Sequence, residues 1–193
     1  HHTTFLINSA AHVFGTRPYT EENSARDNWF LGFLTYGEGF HNFHHMWQWD
    51  YRNGAKWWQY DSTKWILAAL RPTGLVYDFR RVPAAVIRRA ELAVEAQRLQ
   101  AKLAARKAAG TESLEARIAA ARARMDLALA AMHERREAWG RKRRELKVMG
   151  RAKAEAFRMA KAEWKESMAR QKAELAAAWA EWKATRQAVQ AVA

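Results

Sequence analysis

The chain of 193 residues contains no cysteine. Disulfide frameworks, thiolate metal sites and cysteine nucleophiles are therefore excluded. Only three prolines occur, Pro18, Pro72 and Pro83, and nothing after Pro83 forbids a continuous helix on that ground. No window reaches the roughly 18 consecutive apolar residues that would cross a bilayer alone. Apolar runs such as Phe5-Leu6-Ile7, Trp29 to Tyr36 and Trp65 to Leu70 are shorter. No cationic, apolar, small-residue leader stands at the N-terminus. The chain begins at His1 rather than at a methionine, which reads as a piece of a longer protein.

What is present falls into two regions. Residues 1–83 carry eight Lys/Arg and seven Asp/Glu, and residues 84–193 carry 25 and 13, so nearly all of the net charge of +13 lies in the second part. Six of the ten tryptophans lie in the first. A single isoelectric point describes neither region.

The densest chemistry is Gly37-Glu38-Gly39-Phe40-His41-Asn42-Phe43-His44-His45. Spacings of three (His41, His44) and four (His41, His45) put imidazoles on one face of a helix. His44 and His45 are adjacent, so their rings diverge by about 100° and one turn can serve two neighbouring metal ions. Imidazole suits Fe, Cu, Zn and Ni. The flanking glycines permit a tight turn or a close backbone approach. Residues 1–15 read as the end of a mostly apolar helix on which Asn8 and His12 share a face. A satisfied buried hydrogen bond explains that pair as well as a ligand with a water-holding amide does. Gly15 ends this helix, and the polar segment 16–28 forms a loop in which Ser24 or Asp27 caps the following helix, Trp29 to Tyr36.

Residues 46–65 interleave Trp47, Trp49, Trp57, Trp58 and Trp65 with Asp50, Arg52, Lys56 and Lys64. Amphipathic aromatics at this density suit a membrane–water interface. Stacking on nucleic-acid bases is the reading they support least. A short apolar helix, a Pro72-Thr73-Gly74 break and a basic exit at Arg80-Arg81 close the region, and the arginines mark a cytoplasmic side. From Ala84, strong helix formers dominate. They predict a helix over about 84–108, a turn near 109–113 and a long helix over about 112–190. Ile118, Met125, Met132, Trp139 and Leu146 repeat every seven residues, and Met168, Leu175, Trp182 and Val189 repeat in a shifted phase, which reads as a stutter. A solvated helix, a helical hairpin and a homotypic coiled coil all fit this thin seam.

Several motifs occur in one order: Asn8-Ser9-Ala10-Ala11-His12, Gly15-x-Arg17-Pro18-Tyr19, the segment Gly37 to His45, Asp50 to Gly54, and Thr63-Lys64-Trp65. Over about residues 1–83 the chain resembles the C-terminal part of the acyl-CoA (delta-9, stearoyl-CoA type) fatty acid desaturases, and its last two motifs resemble the bacterial branch. The resemblance implies an all-α membrane fold, with a cytosolic cap and the end of a transmembrane helix, followed here by the helical extension 84–193. It implies an integral membrane enzyme of the bacterial inner membrane or endoplasmic reticulum, with cap and extension on the cytoplasmic side. Two iron ions held by histidines would use O2 and two electrons, from a cytochrome b5 or ferredoxin type donor, to place a double bond in an acyl-CoA chain. By similarity His12, His41, His44 and His45 are iron ligands and Asn8 holds an iron-bound water. His1 and His2 match no ligand of the family, and His133 lies outside the resemblance.

The family's two upstream histidine boxes have no counterpart here. Four histidines are half of such a site, so residues 1–193 alone are expected to be inactive. A related di-iron hydroxylase would share the centre and differ in product. The non-catalytic alternative is a helical scaffold or anionic-surface binder led by residues 84–193, with structural histidines.

Overall fold

The structure is a computed structural model and describes residues 2–106, 111–148 and 154–192. As expected it is all-α: among the described residues there are eight α-helices, one 3-10 turn and two isolated β-bridges, but no strand. None of these helices is long and apolar enough to cross a membrane. Two compact units, His1–Glu95 and Ala96–Ala193, divide the chain.

The first unit begins with α1 (His2–Asn8) and α2 (Ala10–Val13), where one continuous helix was expected. The break is at Ser9, whose hydroxyl donates to the Phe5 carbonyl at 2.6 Å, a local bond that competes with the helix ladder. Two short helices follow, α3 (Trp29–Leu34) and α4 (His41–Met46). Neither Ser24 nor Asp27 caps α3. Asn28 does, its side chain accepting from the amides of Phe30 and Leu31. Both expected candidates serve elsewhere, as the site geometry shows.

Next comes α5 (Ser62–Leu70), capped by the Asp61 carboxylate on the Lys64 amide. The 3-10 turn Arg71–Thr73 ends at Gly74, whose φ of 76° is a left-handed value that glycine adopts freely. Lys64 points inward and donates to the carbonyls of Gly54, Lys56 and Gln59 at 2.8–3.0 Å. The apolar Trp65 and Ile66 beside it face out. The core joins Tyr19, Phe43, Trp47 and Val82, with Ile87 and Ala90 from α6 (Ala84–Arg106) packed against it. Beneath it the buried Asp50–Arg52 pair is bidentate, at 2.9 and 2.7 Å. Asp50 also accepts the Val82 amide at 2.8 Å, tying the loop after α4 to the start of α6.

The second unit holds α7 (Thr111–Val148) and α8 (Ala154–Val192). The expected single helix over 112–190 is instead a pair packed side by side. Trp139 and Trp164 stack with ring centroids 5.1 Å apart. A straight helix would separate residues 25 positions apart by about 37 Å. Arg124 also pairs with Glu181 across the two helices. Of the heptad residues, Ile118, Met125, Met168, Trp182 and Val189 are buried, and Met132, Trp139, Leu146 and Leu175 are half-buried. Their shift of phase separates two helices rather than marking a stutter within one. The predicted turn near 109–113 falls largely outside the described residues; α7 starts at Thr111.

Candidate metal centre

The site is built on α4. Its spacing puts His41 and His45 one turn apart on one face, and their Nε2 atoms lie 3.0 Å from each other. His12 arrives from α2, with its Nε2 3.1 Å from that of His41. The three imidazoles thus converge on a single point, with ligand atoms all within 4.8 Å of one another. His44 points aside, its ring centroid 6.2 Å from that of His41 and 6.0 Å from that of His45. Asn8 ends α1 and is exposed.

Convergent nitrogens without a proton between each pair are costly, and an ion relieves that cost. The group holds only imidazoles, a donor set suited to Fe, Cu, Zn or Ni. His41 is buried. Burial, then the neighbouring His45, His12 and His44, lowers its pKa to about 4. His45 is lowered too, by burial and by His44 and His12. A neutral imidazole is the form that ligates, and burial with the neighbouring rings keeps His41 and His45 in that form. The residues therefore fit such an ion.

The loop 16–28 fixes this geometry. The N-terminus of α4 has no side-chain cap of its own at Phe40. The Asp27 carboxylate takes that part from outside the helix, accepting the amides of Asn42 and Phe43 at 2.9 and 3.1 Å. Burial raises the Asp27 pKa to about 7, against those two hydrogen bonds, which lower it. The side chain of Asn42 is wholly buried and answers from the other direction. It accepts the Tyr19 and Thr20 amides and donates to the carbonyls of Thr20 and Ala25. Ser24 lies 2.9 Å from Nδ1 of His12.

The two glycines before the histidines do the two things expected of them. Gly37 turns the chain at a φ of 116°. Gly39 lets the backbone leading into α4 cross α3 so closely that a Cβ there would lie 2.0 Å from the Gly32 amide nitrogen.

Sequence reasoning selected His12, His41, His44, His45 and Asn8. It missed the roles of Asp27, Asn42 and Ser24. Asn42 sits within the histidine motif, and Asp27 is an acid in a polar loop; no spacing rule links either to a partner about 15–23 positions away.

No family model matches the chain. The chain is similar to acyl-CoA desaturase 1 of Saccharomyces cerevisiae, at 44% identity over 101 residues, which is 52% of this chain and 20% of that protein. It is similar to a probable acyl-CoA desaturase of Schizosaccharomyces pombe, at 43% over 83 residues, 43% of this chain and 17% of that protein. Human stearoyl-CoA desaturase matches at 40% over 84 residues, 44% of this chain and 23% of its own length. The chain thus spans about a fifth of the length of these curated relatives.

Proposed function

We propose that this chain is the C-terminal part of a membrane-bound fatty acyl-CoA desaturase related to the bacterial branch, and that it carries half of a histidine-held di-iron centre. The observation that carries the reading is the convergence of His12, His41 and His45 in a chain whose similarity is to desaturases. Histidine-held iron, when bound, supplies the activation of O2 and the oxidation of an unactivated CH2–CH2 unit to a cis double bond.

This chain's residues contribute position and neutral ligands. His12, His41 and His45 hold one ion, and His44, turned aside on the same helix, serves the second. Asn8, four positions before His12 in the chain, would hold a water at the metal. Asp27 and Asn42 keep α4 and the loop 16–28 in register, so that His12 meets the helix ligands. The remaining ligands, the acyl-CoA site and the docking site for a cytochrome b5 or ferredoxin type donor belong to the rest of the protein. Exposed Phe5, Phe14, Trp29, Phe30 and Phe33 on and around the helices that bear the site fit surroundings completed by lipid or by that remainder. On this reading the cap and the extension lie on the cytoplasmic side of the membrane.

The test is the full-length protein, purified with iron and supplied with reductant, O2 and a saturated acyl-CoA. The expected result is two irons per chain and a cis-unsaturated product. His41→Ala is expected to lose both, and residues 1–193 alone are expected to give no turnover. A full-length protein that holds no iron, with a product unaffected by His41→Ala, refutes the reading; an inserted hydroxyl would replace desaturation with hydroxylation.

A further inference from the structure

His12 is the one member of the convergent group that does not come from α4, so its ring needs independent placement. Its Nδ1 lies 2.9 Å from Ser24 Oγ. A neutral imidazole carries one proton, and a hydroxyl can either donate to Nδ1 or accept from it. If Ser24 accepts, the proton sits on Nδ1 and the Nε2 lone pair is free, on the side that faces Nε2 of His41. If it donates, Nε2 carries the proton and cannot ligate. We infer that Ser24 is a positioning residue for the metal centre: its hydroxyl accepts the Nδ1–H of His12 and holds the ring in the tautomer and orientation that present Nε2 to the ion. The inference rests on the metal reading above and deepens it.

The placement of Ser24 is built into the fold. Ala25, the next residue, is buried and gives its carbonyl to Asn42 on α4. The Ala25 amide is held in turn by the Asn23 side chain at 3.1 Å. The amide of Arg26, one residue further on, donates to the Ala11 carbonyl at 2.8 Å, beside His12 on α2. Ser24 is thus fixed from both sides, to the helix of His41 and His45 and to the helix of His12. Outer-shell partners of this kind fix the histidine tautomer, and their loss costs roughly 10–100-fold in metal affinity.

Ser24 itself is exposed, so its replacement leaves no cavity. The test compares Ser24→Ala, Ser24→Thr and Ser24→Val in the full-length protein. Thr and Val have the same shape, and only Thr keeps the hydroxyl. Iron affinity is read by titration with a chelator, and the ligand environment by Mössbauer spectroscopy on 57Fe-loaded protein. Ser24→Ala and Ser24→Val are expected to bind iron about 10–100-fold more weakly at one site, with an altered spectrum for that site, and Ser24→Thr to restore both. Wild-type affinity and spectrum in Ser24→Val overturn the inference and leave the metal reading standing. Equal losses in Thr and Val also overturn it, since shape and not the hydroxyl then matters. A wild-type protein without iron refutes the metal reading, and this inference with it.

Discussion

Replacing Gly39 by alanine puts a methyl group where the backbone of α3 already lies. The new carbon would stand 2.0 Å from the Gly32 nitrogen, 2.3 Å from the Leu31 carbonyl carbon and 2.7 Å from the Gly32 Cα. Non-bonded carbon contacts settle near 3.5–4.0 Å, so the crossing must open by about 1.5 Å. All three obstacles are backbone, and no rotamer change relieves them. Opening also stretches the bond from the Asn28 amide to the Gly39 carbonyl, now 2.8 Å, beyond hydrogen-bonding range. That bond is worth about 1 kcal/mol, and overpacking adds about 1–3 kcal/mol. A total of about 2–4 kcal/mol corresponds to a roughly 30- to 1,000-fold larger open population of this segment. His41 follows Gly39 by two residues, so an opening of this size at Gly39 exceeds the metal–ligand tolerance of about 0.2 Å at its ring. The assay is hydrogen exchange at the Asn28 amide together with iron content, both in the full-length protein. Gly74→Ala is the control: nothing lies within 4 Å of its Cβ position, and only the left-handed φ of 76° is penalised, by about 1 kcal/mol. If Gly39→Ala keeps Asn28 protection and iron content within about twofold of the wild type, the crossing does not set the site and the reasoning fails.

Three further outcomes are expected. Arg52→Ala strands the buried Asp50 carboxylate and is expected to destabilise the first unit by about 3–5 kcal/mol, seen as a loss of exchange protection at Val82; unchanged protection counts against the pair as a tie. The metal-free protein has two opposed pH dependences. The raised Asp27 pKa gives stability that is present below about pH 4 and lost as pH rises through about 7, whereas the lowered His41 pKa gives stability that is lost as pH falls from about 6.5 toward about 4. Asp27→Asn, whose amide oxygen can accept the same two backbone N–H groups, is expected to leave only the second slope; a persistent loss of stability as pH rises toward 7 in that variant contradicts the assignment. In the absence of native cysteine, spin labels on cysteines introduced at 124 and 181 report the α7–α8 pair directly. The paired helices predict a separation near the length of two labels, against about 85 Å for a straight helix, and a long distance would refute the hairpin.

The histidines were legible because helical spacing is a local property: residues three and four apart share a face wherever the helix lies, so His41 and His45 could be paired from the sequence. The seam residues Ile118, Met125, Trp182 and Val189 were legible for the same reason, as was the all-α class. Local signals failed where a choice depended on distant atoms. Asp27 and Asn28 are both good helix caps by composition, and adjacent. Only the packing of the loop 16–28 against α4 gives Asn28 to α3 and sends Asp27 to the helix of histidines. Ser9 was invisible as a break because its hydroxyl bond to Phe5 is one of two local choices open to a serine in a helix.

The sequence by itself determined which side chains can ligate a metal, since imidazole chemistry and helical period belong to the residues. It also determined that long helices would dominate after Ala84, because propensity accumulates along the chain. Tertiary structure alone decided that His12 meets His41 and His45 while His44 turns aside, because His12 and His41 are 29 positions apart and the path between them is set by Asn42, Asp27 and the Gly39 crossing. It alone decided that the tail folds back on itself. A thin seam of alanine and methionine buries equally well against its own chain or another, and a nearby partner on the same chain faces the smaller entropic cost.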